Sequence, residues 1–275
     1  MMVSFDEILK IAEKKYFAIP AFNIYNMETV MGVIEAAEEL RSPVILQSYS
    51  RLFTNKEAYF VAPIVKAAAE KTSVPVCFHL DHGAGEREVT RALRYGATGI
   101  MIDNSTLPLE ENISATKAVV EKCGYVGVCV EGELGHIGST SDEKLSEYTD
   151  VGEAKRFADE TGVRALAVMV GTAHGHYKQA PVLDIERIAA IKKATGAALV
   201  LHGGSGVPDD QIVKAVNAGI RKINFGTDVC CSFLNSVFGV SRDKIAIDMF
   251  MKEPIEAVKN FAMSKIKLLG AENKV

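Results

Sequence analysis

The chain has 275 residues, of which 48% are hydrophobic and 24% charged, and its formal net charge is −4. That length suits one barrel-sized domain, and the composition is ordinary for a globular protein. A weakly acidic balance with no dense Lys/Arg run argues against nucleic acid as a partner, because a phosphate backbone calls for a clustered cationic face.

Short apolar runs rich in β-branched residues alternate with longer amphipathic ones from end to end. In chain order, strands are predicted at Ala18–Phe22, Val44–Gln47, Val76–Leu80, Gly99–Ile102, Gly127–Val130, Ala165–Val170, Leu199–Leu201 and Lys222–Phe225. Their near-continuous hydrophobicity is that of strands buried on both faces. Between them Glu28–Leu40, Lys56–Lys71, Pro108–Lys122, Val151–Glu160 and Ile185–Lys193 read as helices, and Gly96, Gly124, Gly162 and Gly196 suit helix stops. Ile245–Leu269 reads as a terminal helical region with Pro254 as a break or restart, packed under the barrel or on a neighbouring subunit. Strand–helix alternation implies parallel pairing through right-handed crossovers. Eight units fit a closed barrel better than an open doubly wound sheet, and no G-x-G-x-x-G follows the first strand. The expectation is an α/β fold: a single (β/α)8 (TIM) barrel domain over residues 1–275, its active site at the C-terminal ends of the strands.

The polar residues gather where such a site belongs. Strand three ends in His79-Leu80-Asp81-His82-Gly83, strand four leads to Asp103-Asn104-Ser105, and strand five runs into Glu131-Gly132-Glu133-Leu134-Gly135. Strand six gives Gly171-Thr172-Ala173-His174-Gly175-His176, strand seven His202-Gly203-Gly204-Ser205-Gly206, and strand eight Asn224-Phe225-Gly226-Thr227-Asp228. Imidazoles from three strand ends can converge at the barrel mouth, and three histidines with an open position make a catalytic type of zinc site. Asp81 stands beside His82 as a proton-transfer group or as an orienter of the ligand. Adjacent strand side chains point opposite ways, so the two converge only if the chain bends, which Gly83 permits. The glycine-rich turn after strand seven reads as a phosphate cradle, completed by the loop after strand eight. No lysine ends a predicted strand, and Lys222 is expected to open strand eight, which points away from imine chemistry and towards a metal as electron sink.

Together these motifs, with Ala21-Phe22-Asn23 near the start, resemble the class II (zinc-dependent) ketose-bisphosphate aldolases, the family of fructose- and tagatose-bisphosphate aldolases. The resemblance implies that His82, His174 and His202 bind Zn2+, and that Asp81 exchanges the proton of the C4 hydroxyl. Asp103 and Glu133 match carboxylates that hold a second metal position, while Asn23, Gly175, Gly203, Gly204, Ser205, Asn224, Gly226 and Thr227 match the substrate contacts. It further implies a monovalent cation (Na+ or K+) near the phosphate loops and a homodimer or homotetramer. The reaction would cleave a ketose phosphate reversibly to dihydroxyacetone phosphate and an aldehyde, through a zinc-stabilised enediolate.

Three features depart from the family pattern. After Glu133 the loop reads Gly138-Ser139-Thr140-Ser141 before Asp142 and Glu143, so the acid that reprotonates the triose is assigned to Glu143. Tyr49, between Ser48 and Ser50, stands where a small hydroxyl residue is usual, and no Asp-Pro-Arg occurs in the C-terminal region. Gly226 is the small residue of tagatose enzymes and tilts the substrate towards tagatose 1,6-bisphosphate over fructose 1,6-bisphosphate. A zinc hydrolase on the same fold and an inactive sugar-phosphate-binding relative are the alternatives. Neither a leader nor a membrane span is expected, and five cysteines without a C-x-x-C pair fit reduced thiols in the cytoplasm.

Overall fold

The computed structural model describes every residue except 139, 141–147, 176 and 178. The chain runs α1 (Phe5–Lys15), β1 (Ile19–Asn23), α2 (Met27–Glu39), β2 (Val44–Tyr49), α3 (Ser50–Thr54), α4 (Glu57–Lys71), β3 (Val76–Gly83), α5 (Glu86–Arg94), β4 (Gly99–Ile102) and α6 (Leu109–Gly124). It continues through β5 (Cys129–Leu134), α7 (Val151–Thr161), β6 (Ala165–Val168), α8 (Ile185–Ala194), β7 (Ala198–Leu201), α9 (Asp209–Ala218) and β8 (Ile220–Phe225), then ends in α10 (Thr227–Gly239), α11 (Ile247–Phe250) and α12 (Lys252–Leu268). Every strand is parallel to its sequence neighbour and β8 pairs with β1, so the sheet closes into the (β/α)8 TIM barrel that the alternation predicts.

The strand ends differ from the sequence reading for one physical reason. β2, β3 and β5 run on to Tyr49, Gly83 and Leu134, through Ser48, Asp81, His82, Glu131 and Glu133, polar residues that read as loop until their burial is seen. β8 begins at Ile220, so Lys222 does not open the strand but lies within it, fully buried inside the barrel.

Met1 to Lys14 shows in sequence only as an amphipathic pattern, yet it supplies the floor of the barrel. Ser4 Oγ accepts from the Glu7 N–H while the Glu7 carboxylate accepts from the Ser4 N–H, and this reciprocal cap starts α1. α1 touches β1, β3, β5 and β8, which are spread around the ring, so it lies across the barrel's end. The Phe5 N–H donates to the Thr98 carbonyl just ahead of β4, which places that end at the N-termini of the strands. Phe5 is wholly buried with its ring 4.6 Å from that of His79, a position where truncation to alanine costs roughly 3–5 kcal/mol.

Pro254 sits in the first turn of α12, where its missing N–H leaves no bond unmade, and so marks a restart after α11. With the underside taken by α1, α12 packs on the flank against α2, α10 and β1, covering the β1–β8 seam. Its buried residues Pro254, Val258, Ala262 and Ile266 recur at helical spacing and form one stripe. Gly32 of α2 permits the approach: a Cβ there would stand 2.8 Å from the Ile255 carbonyl oxygen. Among the described residues no helix is long and apolar enough to cross a membrane.

Candidate active site

A cavity of about 600 Å³ opens at the C-terminal ends of the strands. Asn23, Asp81, His82, Asp103, His174, Gly175, Gly203, Ser205, Asn224, Gly226 and Thr227 all line it. His202 and Glu133 lie fully buried beside it. Glu143 falls outside the described residues.

Asp81 and His82 share the cavity because β3 bends, though the bend is not made by Gly83. His82 itself takes the left-handed conformation, φ 47°, and the register against β4 shifts between Leu80 and Gly83. A bulge of this kind turns a side chain towards a site that strict alternation would deny it. Asp81 Oδ1 and His82 Nε2 are thereby 4.0 Å apart. Gly83 serves close packing instead, since a Cβ there would lie 2.5 Å from the Met101 carbonyl oxygen.

The three imidazoles meet, and their partners fix the tautomers. His82 Nδ1 is 2.8 Å from Asp103 Oδ2, His202 Nε2 is 2.8 Å from Glu131 Oε1, and His174 Nδ1 is 3.0 Å from the Ile137 carbonyl oxygen. These oxygens accept, so each of those ring nitrogens carries a proton; the other nitrogen presents a lone pair on His174 and His202, and on His82 once its second proton has left. His82 Nε2 and His202 Nδ1 are hydrogen-bonded at 3.0 Å, and one nitrogen from each of the three rings lies within 4.8 Å of the others. With no metal present a proton on His82 fills the 3.0 Å gap as a hydrogen bond to His202, and with that proton gone three nitrogens so placed fit Zn2+. His82, Asp103 and Glu133 form a second overlapping group, and Glu133 Oε2 is buried with no hydrogen-bond partner among the described residues, 3.8 Å from His202 Nδ1.

The electrostatics show the same appetite for a cation. Burial pulls His82 down, but Asp81, Asp103 and Glu133 outweigh it and push the ring up to about 9. His174 falls to about 4 and His202 well below its ordinary value, through burial and then the charge on His82. Burial, reinforced by Asp103, raises Glu133 to about 8. Asp103 is itself held well below the usual carboxylate range: burial opposes this, but the hydrogen bond and charge of His82 prevail.

Sequence reasoning missed the layer beneath. Asn23 Nδ2 donates to Asp81 Oδ2 at 2.7 Å and Asn224 Nδ2 to Asp81 Oδ1 at 3.2 Å. Each amide is oriented from behind by a donor, Gln47 Nε2 on Asn23 Oδ1 (2.9 Å) and Lys222 Nζ on Asn224 Oδ1 (2.7 Å). Lys222 also pairs with Glu131 at 2.9 Å, with both side chains fully buried. Glu131 thus joins the lysine to His202, while His79, lowered to about 3 by burial and then Lys222, stays neutral at 3.6 Å from Glu131. Polar residues inside predicted strands, His79 and Asn224, were the available signal; Lys222, read as opening its strand, joins them only because β8 begins at Ile220, and a charge inside a barrel strand requires a partner.

The loops after β6 and β7 are pinned together by Tyr177, whose hydroxyl contacts the carbonyls of Ala173 (2.7 Å) and Gly203 (3.0 Å). Gly203 has φ +62°, and a Cβ on it would lie 2.3 Å from the Ala173 carbonyl oxygen. Gly204 does not line the cavity: its N–H donates to the Asn224 carbonyl at 3.2 Å and its bare Cα rests on Ile223. The site is therefore three imidazoles around one point, a clamped carboxylate, and glycine-rich loops on the far wall.

Solved structures similar to this chain carry one chemistry in their names. It matches, over 100% of its length and 99% of the other chain, the YdjI aldolase from Escherichia coli K12, with 35% identity and TM-score 0.91. A putative fructose-1,6-bisphosphate aldolase from Coccidioides immitis is 28% identical, with TM-score 0.90 over 98% of this chain and 96% of that one. The fructose-bisphosphate aldolase of Campylobacter jejuni, 23% identical, shares the fold with TM-score 0.83 over 100% and 97% of the two chains. The family profile described as fructose-bisphosphate aldolase class-II spans residues 3–274, and with so complete a match the chain belongs to that family.

Proposed function

We propose that the chain is a zinc-dependent aldolase that cleaves a phosphorylated ketose reversibly to dihydroxyacetone phosphate and an aldehyde. The observation that carries this reading is the convergence of three histidine ring nitrogens beside a carboxylate held by two amides. His82, His174 and His202 would hold the ion, with Asp103 and Glu133 as a second position beside it. Bound Zn2+ supplies a Lewis acid for the keto group, which lowers the cost of the charge left when the carbon–carbon bond breaks. Asp81 takes the C4 hydroxyl proton in cleavage and returns it in synthesis, its oxygens kept in place by Asn23 and Asn224. Gly175, Gly203, Ser205, Gly226 and Thr227 would hold the triose phosphate, Thr227 opening α10 so that its first N–H groups face an anion. Backbone carbonyls of the same loops would take Na+ or K+, and Glu143 would protonate the triose carbon. Tagatose 1,6-bisphosphate is favoured over fructose 1,6-bisphosphate by Gly226.

None of the five cysteines is in a disulfide, which supports placement in the cytoplasm. Dialysis against a chelator should lower triose phosphate release at least hundredfold, and added zinc should restore it. Cleavage that resists chelation overturns the metal reading.

A further inference from the structure

We propose that Lys222 and, more weakly, Gln47 are positioning residues of the bond-breaking step. By forbidding two buried amides to turn over, they keep Asp81 aimed at the C4 hydroxyl, and so they act on turnover and not on the binding of substrate or metal. This rests on the aldolase reading above. An asparagine amide keeps nearly the same shape when its oxygen and nitrogen exchange places. Reversed, Asn23 or Asn224 would set an oxygen against a carboxylate oxygen of Asp81, and the base would be pushed away instead of held. What stands behind each amide decides between the two orientations.

The sheet supplies both guards. Alternate residues of a strand share a face, which sets Lys222 beside Asn224 on β8, and Gln47 of β2 is the register partner of Asn23 of β1. An ammonium donates and never accepts, so only the oxygen of Asn224 can face Lys222, and Nδ2 is left for Asp81. That bond is 2.7 Å and charge-assisted, and Glu131 at 2.9 Å holds the ammonium in place. Gln47 is the looser guard. Its Nε2 meets Asn23 Oδ1 at 2.9 Å, but the bond is neutral, and Gln47 Oε1 has no hydrogen-bond partner among the described residues. Gln47 and Asn23 can therefore reverse together and keep their mutual bond, a freedom that the lysine denies to Asn224. All five side chains are buried, which leaves water little access to stand in for a lost donor.

The test is a mutant cycle read on cleavage of tagatose and fructose 1,6-bisphosphate by zinc-loaded enzyme. Lys222→Met should lower kcat at least about tenfold, a size common when a hydrogen-bonding group behind a site is lost. KM, and zinc affinity measured by competition with a chelator, should stay near those of wild type. Gln47→Leu should lose less. In an Asn224→Ala background Lys222→Met should cost nothing more, because the amide it steers is gone. If Lys222→Met alone does not fold, every corner of the cycle carries Glu131→Gln, which removes the unpaired charge. An unchanged kcat in Lys222→Met, a loss that falls on KM or zinc affinity instead, or a loss undiminished beside Asn224→Ala overturns the proposal and leaves the aldolase reading intact. A wild type that releases no triose phosphate from either ketose overturns both.

Discussion

In the metal-free protein the three imidazoles have only protons to share, and His82 takes one. Its ring is raised to about 9, so it is charged at pH 7.5 and contributes stability that is complete below its ordinary value of 6.5 and is lost as pH climbs through about 9. Zinc requires the same lone pair, so binding at pH 7.5 must expel at least one proton, with Glu133, raised to about 8, able to add to the count. Zinc affinity should rise about tenfold per pH unit towards pH 9 and then level off. Calorimetry in buffers of different ionisation enthalpy measures the protons directly, and a count of zero at pH 7.5 sinks this account. The meeting of His82, His174 and His202 was legible because each follows an apolar run. The left-handed turn at His82 was not, since nothing in the letters of that motif separates a bend at His82 from one at Gly83.

Between the strands, one buried pair links the site to the barrel interior. Lys222 of β8 faces Glu131 of β5 across the barrel, the carboxylate reaching His202 and the ammonium reaching Asn224. Removing one member of such a pair leaves the other charge uncompensated, at a cost of about 3–5 kcal/mol. Lys222→Met should therefore lower the urea midpoint sharply, and adding Glu131→Gln should recover at least half of the loss. A double variant no steadier than Lys222→Met refutes the coupling. Strand existence was plain from the apolar runs, but the extensions of β3 and β5 were hidden because polar residues paired across a barrel look like loop in one dimension. α1 was overlooked as an element for a related reason: its apolar stripe shows amphipathicity, not that the surface it meets is the open end of a barrel.

At the scale of the molecule, alternation sufficed to predict the closed sheet, while α12's position on the flank depended on α1 already occupying the floor. The same C-terminal region leaves Leu234, Phe238, Ile245, Ile247 and Met249 exposed, with Ile245 at 91% and Phe238 at 81%. So many large apolar side chains on one stretch are what a subunit contact leaves when its partner is absent. Sedimentation at micromolar concentration should return a homodimer or homotetramer, and Phe238→Glu with Ile245→Glu should shift it towards the monomer. A wild type that sediments as a monomer removes the proposal.

The β1–β8 seam also sets a timetable. Ile19 leaves the ribosome roughly 200 residues before Ile220, about 10–40 s at common rates of translation, and until then the first strand has one bare edge. A nascent chain with its hydrogen-bonding groups open for that long is a substrate for chaperones. Synthesis speed across the second half of the message would then govern how much soluble enzyme a cell obtains.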